Sequence, residues 1–217
     1  HEIFLETKLW TCFYKDETSV DQTLERLDTD YIDLMILHQP AGDYLSGYKQ
    51  LEKAYKEGKL KSIGISNFNE NEIQNILNHC KVIPSLIQVE AHPYYPQTHL
   101  LKTLQEHNIA LQAWYPLGGR GNQSTMNESV IKKIAEKYKK TTAQVILRRH
   151  IQKGFVVIPG SKSEAHILDN IDIFDFELSS DDMKEIRSLE KETTFYHRTD
   201  EQLQHFALRH PDVEHQK

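Results

Sequence analysis

The chain has 217 residues, a formal net charge of −6 and only two cysteines. That length suffices for one domain with a substantial core. The acidic balance argues against a nucleic-acid partner, and no apolar run reaches membrane-spanning length.

In chain order, residues 4–10 read as a strand ending near Lys8, and Ser19 can cap a helix through Leu27. Residues 32–38 form a near-continuous apolar run closed by His38 and followed by Gln39-Pro40. Such a run predicts a buried parallel strand whose C-terminal tip presents an imidazole. A helix is expected from Tyr44 to Lys56, stopped by Gly58, then a strand over 62–68 ending on Ser66-Asn67. Asn69 caps the next helix, which carries Ile73, Ile76 and Leu77. Residues 86–90 form a strand with Gln88 and Glu90 on one face, and Thr98 precedes a helix over 99–107. A strand over 111–116 ends on aromatics; a helix pair over 128–138 and 142–152 follows, ended by Gly154. The last strand runs from 156 into a Gly160-Ser161-Lys162-Ser163 loop opening a short helix, and a final helix covers 180–189.

Strands 25 to 30 residues apart, with a helix between each pair, are right-handed βαβ units and hence a parallel sheet. Polar residues gathered at the C-terminal strand tips make an enzyme the leading reading. Cys12 and Cys80 are too few for a disulfide framework, so reduced thiols in a cytoplasmic protein are expected. The segment from about residue 193 is polar and is expected to be a solvated tail; its histidines have no ligand spacing, and no metal site is expected.

The segments Thr7-Lys8-Leu9-Trp10, Leu37-His38-Gln39-Pro40, Gly64-Ile65-Ser66-Asn67-Phe68 and Gln88-Val89-Glu90-Ala91-His92-Pro93-Tyr94 together resemble the aldo-keto reductase family. Trp114-Tyr115-Pro116-Leu117-Gly118 and Ile158-Pro159-Gly160-Ser161-Lys162-Ser163, with Asn170 and Phe174-Asp175-Phe176-Glu177-Leu178, extend the resemblance in order and spacing. It implies a TIM (β/α)8 barrel of which residues 1–217 form a single incomplete domain, with six β/α units present and the N-terminal two missing. Either a truncated product or a shortened protein is expected. Two apolar strand edges would then be open to self-association.

The implied activity is NAD(P)H-dependent reduction of an aldehyde or ketone, with a small carbonyl compound as partner. The alternative is a non-catalytic cofactor-binding or regulatory relative. Lys8 and His38 stand where the family has its catalytic lysine and histidine, whereas its Asp-x-x-x-x-Tyr segment has no suitably placed counterpart in this sequence. His38, with a pKa expected near neutrality, is the candidate substitute acid. For the cofactor, Ser66, Asn67 and Gln88 match the carboxamide-binding positions, and Trp114 the ring that stacks on the nicotinamide. Leu117, Ser161, Lys162, Ser163, His166 and Asn170 complete the set, with Gly160 allowing close backbone approach. NADPH-selective members commonly carry lysine at position 160 and arginine at 166, so NADP(H) is expected with NAD(H) as the alternative. Strand parity adds that Glu6 or Glu90 could pair with Lys8.

Overall fold

The computed structural model describes residues 3–118 and 124–212. Six short parallel-type strands, β1 (Glu6–Leu9), β2 (Ile32–Leu37), β3 (Leu60–Ser66), β4 (Leu86–Glu90), β5 (Ala110–Trp114) and β6 (Val156–Val157), follow one another in the sheet in chain order. The chain divides into two compact units, residues 1–87 with 198–217, and residues 88–197; β4 contributes to both.

In the first unit, β1 pairs in parallel with β2, Lys8 opposite Ile36, and β2 with β3, Ile36 opposite Gly64. Ile32, Leu34, Met35, Ile36 and Leu37 are all buried, as a strand covered on both faces requires. Between the strands lie α1 (Ser19–Leu27), α2 (Tyr44–Lys56) and α3 (Glu70–His79). Helix α2 starts where the Asp43 side chain accepts the Ser46 N–H, and α3 where Asn69 and Glu72 cap each other's backbone. Gly64 has no room for a side chain: a Cβ there would sit 2.7 Å from the Leu86 carbonyl oxygen.

In the second unit, β5 pairs in parallel with β6, and α4 (Thr98–Glu106) precedes β5. Helices α5 (Ser129–Tyr138), α6 (Thr142–Gln152) and α8 (Ser180–Arg187) bury Ile131, Ile134, Val145, Ile146 and Ile186 in one cluster. Asp182 ties this cluster's rim together: it caps α8 through Ser179 and accepts from Lys137 at 2.8 Å and from the Tyr138 hydroxyl at 2.6 Å. Helix α7 (Glu164–Ile171) buries none of its residues, leaving Ile167, Leu168 and Ile171 exposed with Phe174. Ile167, Ile171 and Phe174 line a groove of about 450 Å³ together with Phe155 and Val157.

The tail, expected as a solvated segment, has regular structure although it buries none of its helical residues. It forms a helix, α9 (Asp200–Leu208), whose last turn accepts from the first unit: Trp10 Nε1 donates to the Arg209 carbonyl at 2.9 Å and the Thr11 hydroxyl to that of Phe206. Such bonds satisfy carbonyls that a helix end would otherwise leave to water. Among the described residues no helix is long and apolar enough to cross a membrane, and no cluster of three or more His, Cys, Asp or Glu could hold a metal ion.

Candidate active site

In the first unit, Lys8 lies near the C-terminal end of β1 and His38 directly follows β2. The His38 N–H donates to the Leu9 carbonyl at 3.0 Å, continuing the β1–β2 ladder, and the Trp10 ring meets the imidazole edge-on at 4.9 Å. Burial first, and then the Lys8 charge, push the His38 pKa down to about 4. The near-neutral value expected from sequence is therefore corrected. At neutral pH the ring is uncharged and offers one N–H, a hydrogen-bond donor rather than a strong acid.

The turn after His38 is fixed by a residue that sequence reading passed over. The buried Tyr14 hydroxyl donates to the Gln39 carbonyl at 2.7 Å and accepts the Gln39 N–H at 3.2 Å. Burial raises its pKa, so it stays protonated as a strut. Only the aromatic after Thr11-Cys12-Phe13 hinted at it, and its partner lies 25 residues away. Gln39 itself is buried and its side-chain Oε1 has no partner among the described residues.

Ser66 ends β3 fully buried, its hydroxyl without a hydrogen-bond partner among the described residues. Asn67 follows in the left-handed region at φ 64°, a conformation asparagine tolerates. Its side chain donates to the His38 carbonyl at 3.5 Å, and its own carbonyl accepts from Arg198 at 2.6 Å.

In the second unit, Gln88 and Glu90 are both buried on β4, as parity required, but each has its own partner. Gln88 Nε2 donates to Gln112 Oε1 on β5. The Glu90 carboxylate accepts from His92 Nε2 at 2.9 Å and from the Phe195 and Tyr196 backbone N–H groups at 2.6 and 3.1 Å. Glu90 thus holds the segment that carries Phe195 and Tyr196. Nearby, His150 Nε2 donates to the Ala91 carbonyl at 3.0 Å while its Nδ1 accepts from Arg149 at 3.1 Å, which fixes its tautomer.

Trp114 closes β5 and touches the rings of Tyr115, at 4.8 Å, and Tyr196, at 5.7 Å. Tyr115 sits at φ 52°. Beyond it, Leu117, Gly118, Ile158, Pro159 and Gly160 line a cavity of about 510 Å³, within the range of small-molecule sites. Ser161, Lys162 and Ser163 lead into α7, the Ser163 N–H donating to Ser161 Oγ at 3.0 Å; Lys162, Ser163 and His166 are exposed and Asn170 half-buried. Among the described residues nothing lies within 4 Å of where a Gly160 Cβ would be.

In the first unit the buried Ser66 hydroxyl, unpartnered among the described residues, can meet an amide group; in the second unit the cavity beside Leu117 and Gly160 has room for part of a small molecule. The model of the aldo/keto reductase family matches residues 2–191. The chain is 40% identical over 195 residues to the glyoxal reductase of Bacillus subtilis (strain 168), covering 88% of this chain and 70% of that protein. It is 36% identical over 194 residues to methylglyoxal reductase DkgA of Escherichia coli (strain K12), again covering 88% and 70%. The crystal structure of MGS-M4, an aldo-keto reductase from a Medee basin deep-sea metagenome library, superimposes with a TM-score of 0.87 at 36% identity, covering 92% of this chain and 75% of that one. The family match and the fold define a scaffold of the (β/α) barrel type. The chain belongs to the aldo/keto reductase family.

Proposed function

We propose that this protein reduces small aldehydes or ketones at the expense of a nicotinamide cofactor, NADP(H) in preference with NAD(H) as the alternative. The observation that carries the reading is the pairing of Lys8 and His38 at the tips of adjacent parallel strands, near enough for the lysine charge to depress the imidazole pKa. Relatives that reduce glyoxal and methylglyoxal support a short, reactive carbonyl substrate, and the buried Gln39 side chain supports a polar pocket wall.

A bound reduced nicotinamide would supply the hydride. His38, neutral, would donate a hydrogen bond from its N–H to the substrate oxygen and orient the carbonyl, the proton that completes the alcohol coming from solvent water. The Lys8 ammonium favours negative charge developing on that oxygen. Ser66, Asn67 and Gln88 are assigned to the carboxamide, Trp114 to stacking, and Leu117 to the cavity wall. Ser161, Lys162, Ser163, His166 and Asn170 are assigned to the phosphate-bearing end. Lys162 and Ser163 support a 2′-phosphate contact; the glycine at 160 and the histidine at 166 support tolerance of NAD(H). The family's Asp-x-x-x-x-Tyr segment has no matched position in these residues, so slow turnover is expected of the 217-residue chain alone.

Methylglyoxal-dependent NADPH consumption tests this. The expected result is turnover below about 1 s⁻¹, lost in Lys8→Met and in His38→Ala while cofactor affinity stays unchanged. NADPH binding with no turnover at all would favour the non-catalytic alternative. Self-association through the strand edges belongs to the same proposal: Phe4 beside β1, and Val156 and Ile158 at β6, expose apolar surface. Light scattering showing only monomer would remove it.

A further inference from the structure

The segment after α8 is stitched onto the second unit at one side chain. Glu90 is only 5% exposed, and its two carboxylate oxygens accept the N–H groups of consecutive residues, Phe195 to Oε1 and Tyr196 to Oε2. Charge-assisted bonds to backbone donors are among the stronger ones, and a bidentate arrangement also fixes direction. His92, fully buried, adds its Nε2–H to the same carboxylate and holds it in place.

The side chains that follow these two amides are seated, not loose. The Phe195 ring lies 4.5 Å from His92 and 6.1 Å from Tyr94. It also covers Gly118, whose φ of +85° and lack of a Cβ make the space: a Cβ there would come 3.1 Å from the ring. Tyr196 then meets Trp114 edge-on at 5.7 Å with its planes at 72°. This is the favourable T-shaped geometry for aromatic pairs. Carboxylate, socket and ring therefore form one chain of contacts ending on Trp114.

We infer that Glu90 is a positioning residue, which latches the segment carrying Phe195 and Tyr196 and through Tyr196 sets the orientation of the Trp114 ring. The inference rests on the reading of Trp114 as the ring that stacks on the cofactor only for its functional consequence; the latch itself stands on contacts within the second unit. Trp114 held in one orientation binds a flat ligand without first being ordered, so loosening it weakens affinity.

The test uses the full chain in a Trp10→Phe background, where Trp114 is the one remaining tryptophan. Glu90→Ala is expected to shift Trp114 emission and raise its quenching by acrylamide. Tyr196→Ala gives the same change, and Glu90→Gln, which keeps one acceptor oxygen, gives a smaller one. NADPH affinity falls about tenfold in Glu90→Ala and in Tyr196→Ala, and the double variant is no weaker than either single, since the two act in series. Should Glu90→Ala lack a cooperative melt, Glu90→Gln and Tyr196→Ala decide the matter. Unchanged Trp114 emission in folded Glu90 variants, or additive losses in the double variant, overturns the inference. If the parent binds no NADPH, the cofactor reading fails while emission and quenching still judge the latch.

Discussion

Arg198 grips Glu72 with both terminal nitrogens, each at 3.1 Å, while its Nη1 also donates to the Asn67 carbonyl at 2.6 Å. One guanidinium therefore ties the start of the tail to the cap of α3 and to a residue assigned to the cofactor. The side chains are 18% and 17% exposed, so solvent screens this pair less than an ordinary surface pair. A double-mutant cycle on Arg198→Ala and Glu72→Ala should give a coupling of about 1–2 kcal/mol in urea unfolding. Glu72→Ala should cost more than Arg198→Ala, because Glu72 also accepts the Asn69 N–H at 2.7 Å. A coupling near zero would reduce the contact to a surface pair.

His38 gives a pH dependence with a definite sign. Its folded pKa, about 4, lies below the ordinary 6.5, so between those values the unfolded chain holds a proton that the folded chain does not. The neutral ring's contribution is fully present above pH 6.5 and is lost as pH falls toward 4. The difference is at most about 3 kcal/mol, less some screening because the ring is not fully buried. The fully buried His150 acts in the same direction. His38→Gln should flatten the fall in Tm over this window relative to the parent; an unchanged slope would contradict the burial argument.

Gly64→Ala should destabilise by about 2–4 kcal/mol in urea unfolding, because the obstacle is a neighbouring backbone carbonyl that cannot swing aside. A loss under about 1 kcal/mol would mean that the β3 backbone gives way easily.

Asp182→Ala should cost about 2–3 kcal/mol, as it removes the Asp182 half of the α8 capping box together with the bonds to Lys137 and Tyr138. Burial opposes ionisation of Asp182, but Lys137, Ser179 and Tyr138 outweigh it and hold the carboxyl well below its usual range. Its contribution is therefore present above the ordinary carboxylate pKa and is lost only in stronger acid. Equal melting of parent and variant at neutral pH would refute this.

The elements read most directly from sequence are those whose signals are local. Helix α2 begins and ends at Tyr44 and Lys56, and α6 at Thr142 and Gln152, because caps, periodicity and a terminal glycine all lie within a few residues. Strand β2 announced itself by its apolar run. Helix α9 did not, since it buries no residue and so lacks an apolar stripe; only the Thr199–Gln202 capping box marked it. Lys8, His38 and Ser66 were legible as strand-tip residues. What Glu90 and Arg198 do was not: their partners lie more than 100 residues away, and parity fixes a face without naming what it meets.

The most direct test of the account is a titration of NADPH into the Trp10→Phe chain, followed by Trp114 emission and checked by calorimetry. Cofactor stacked on this ring predicts saturable quenching with matching heat, weaker in Lys162→Ala. No optical or calorimetric response up to about 1 mM NADPH, a free energy of only about −4 kcal/mol, would contradict a cofactor site in this chain.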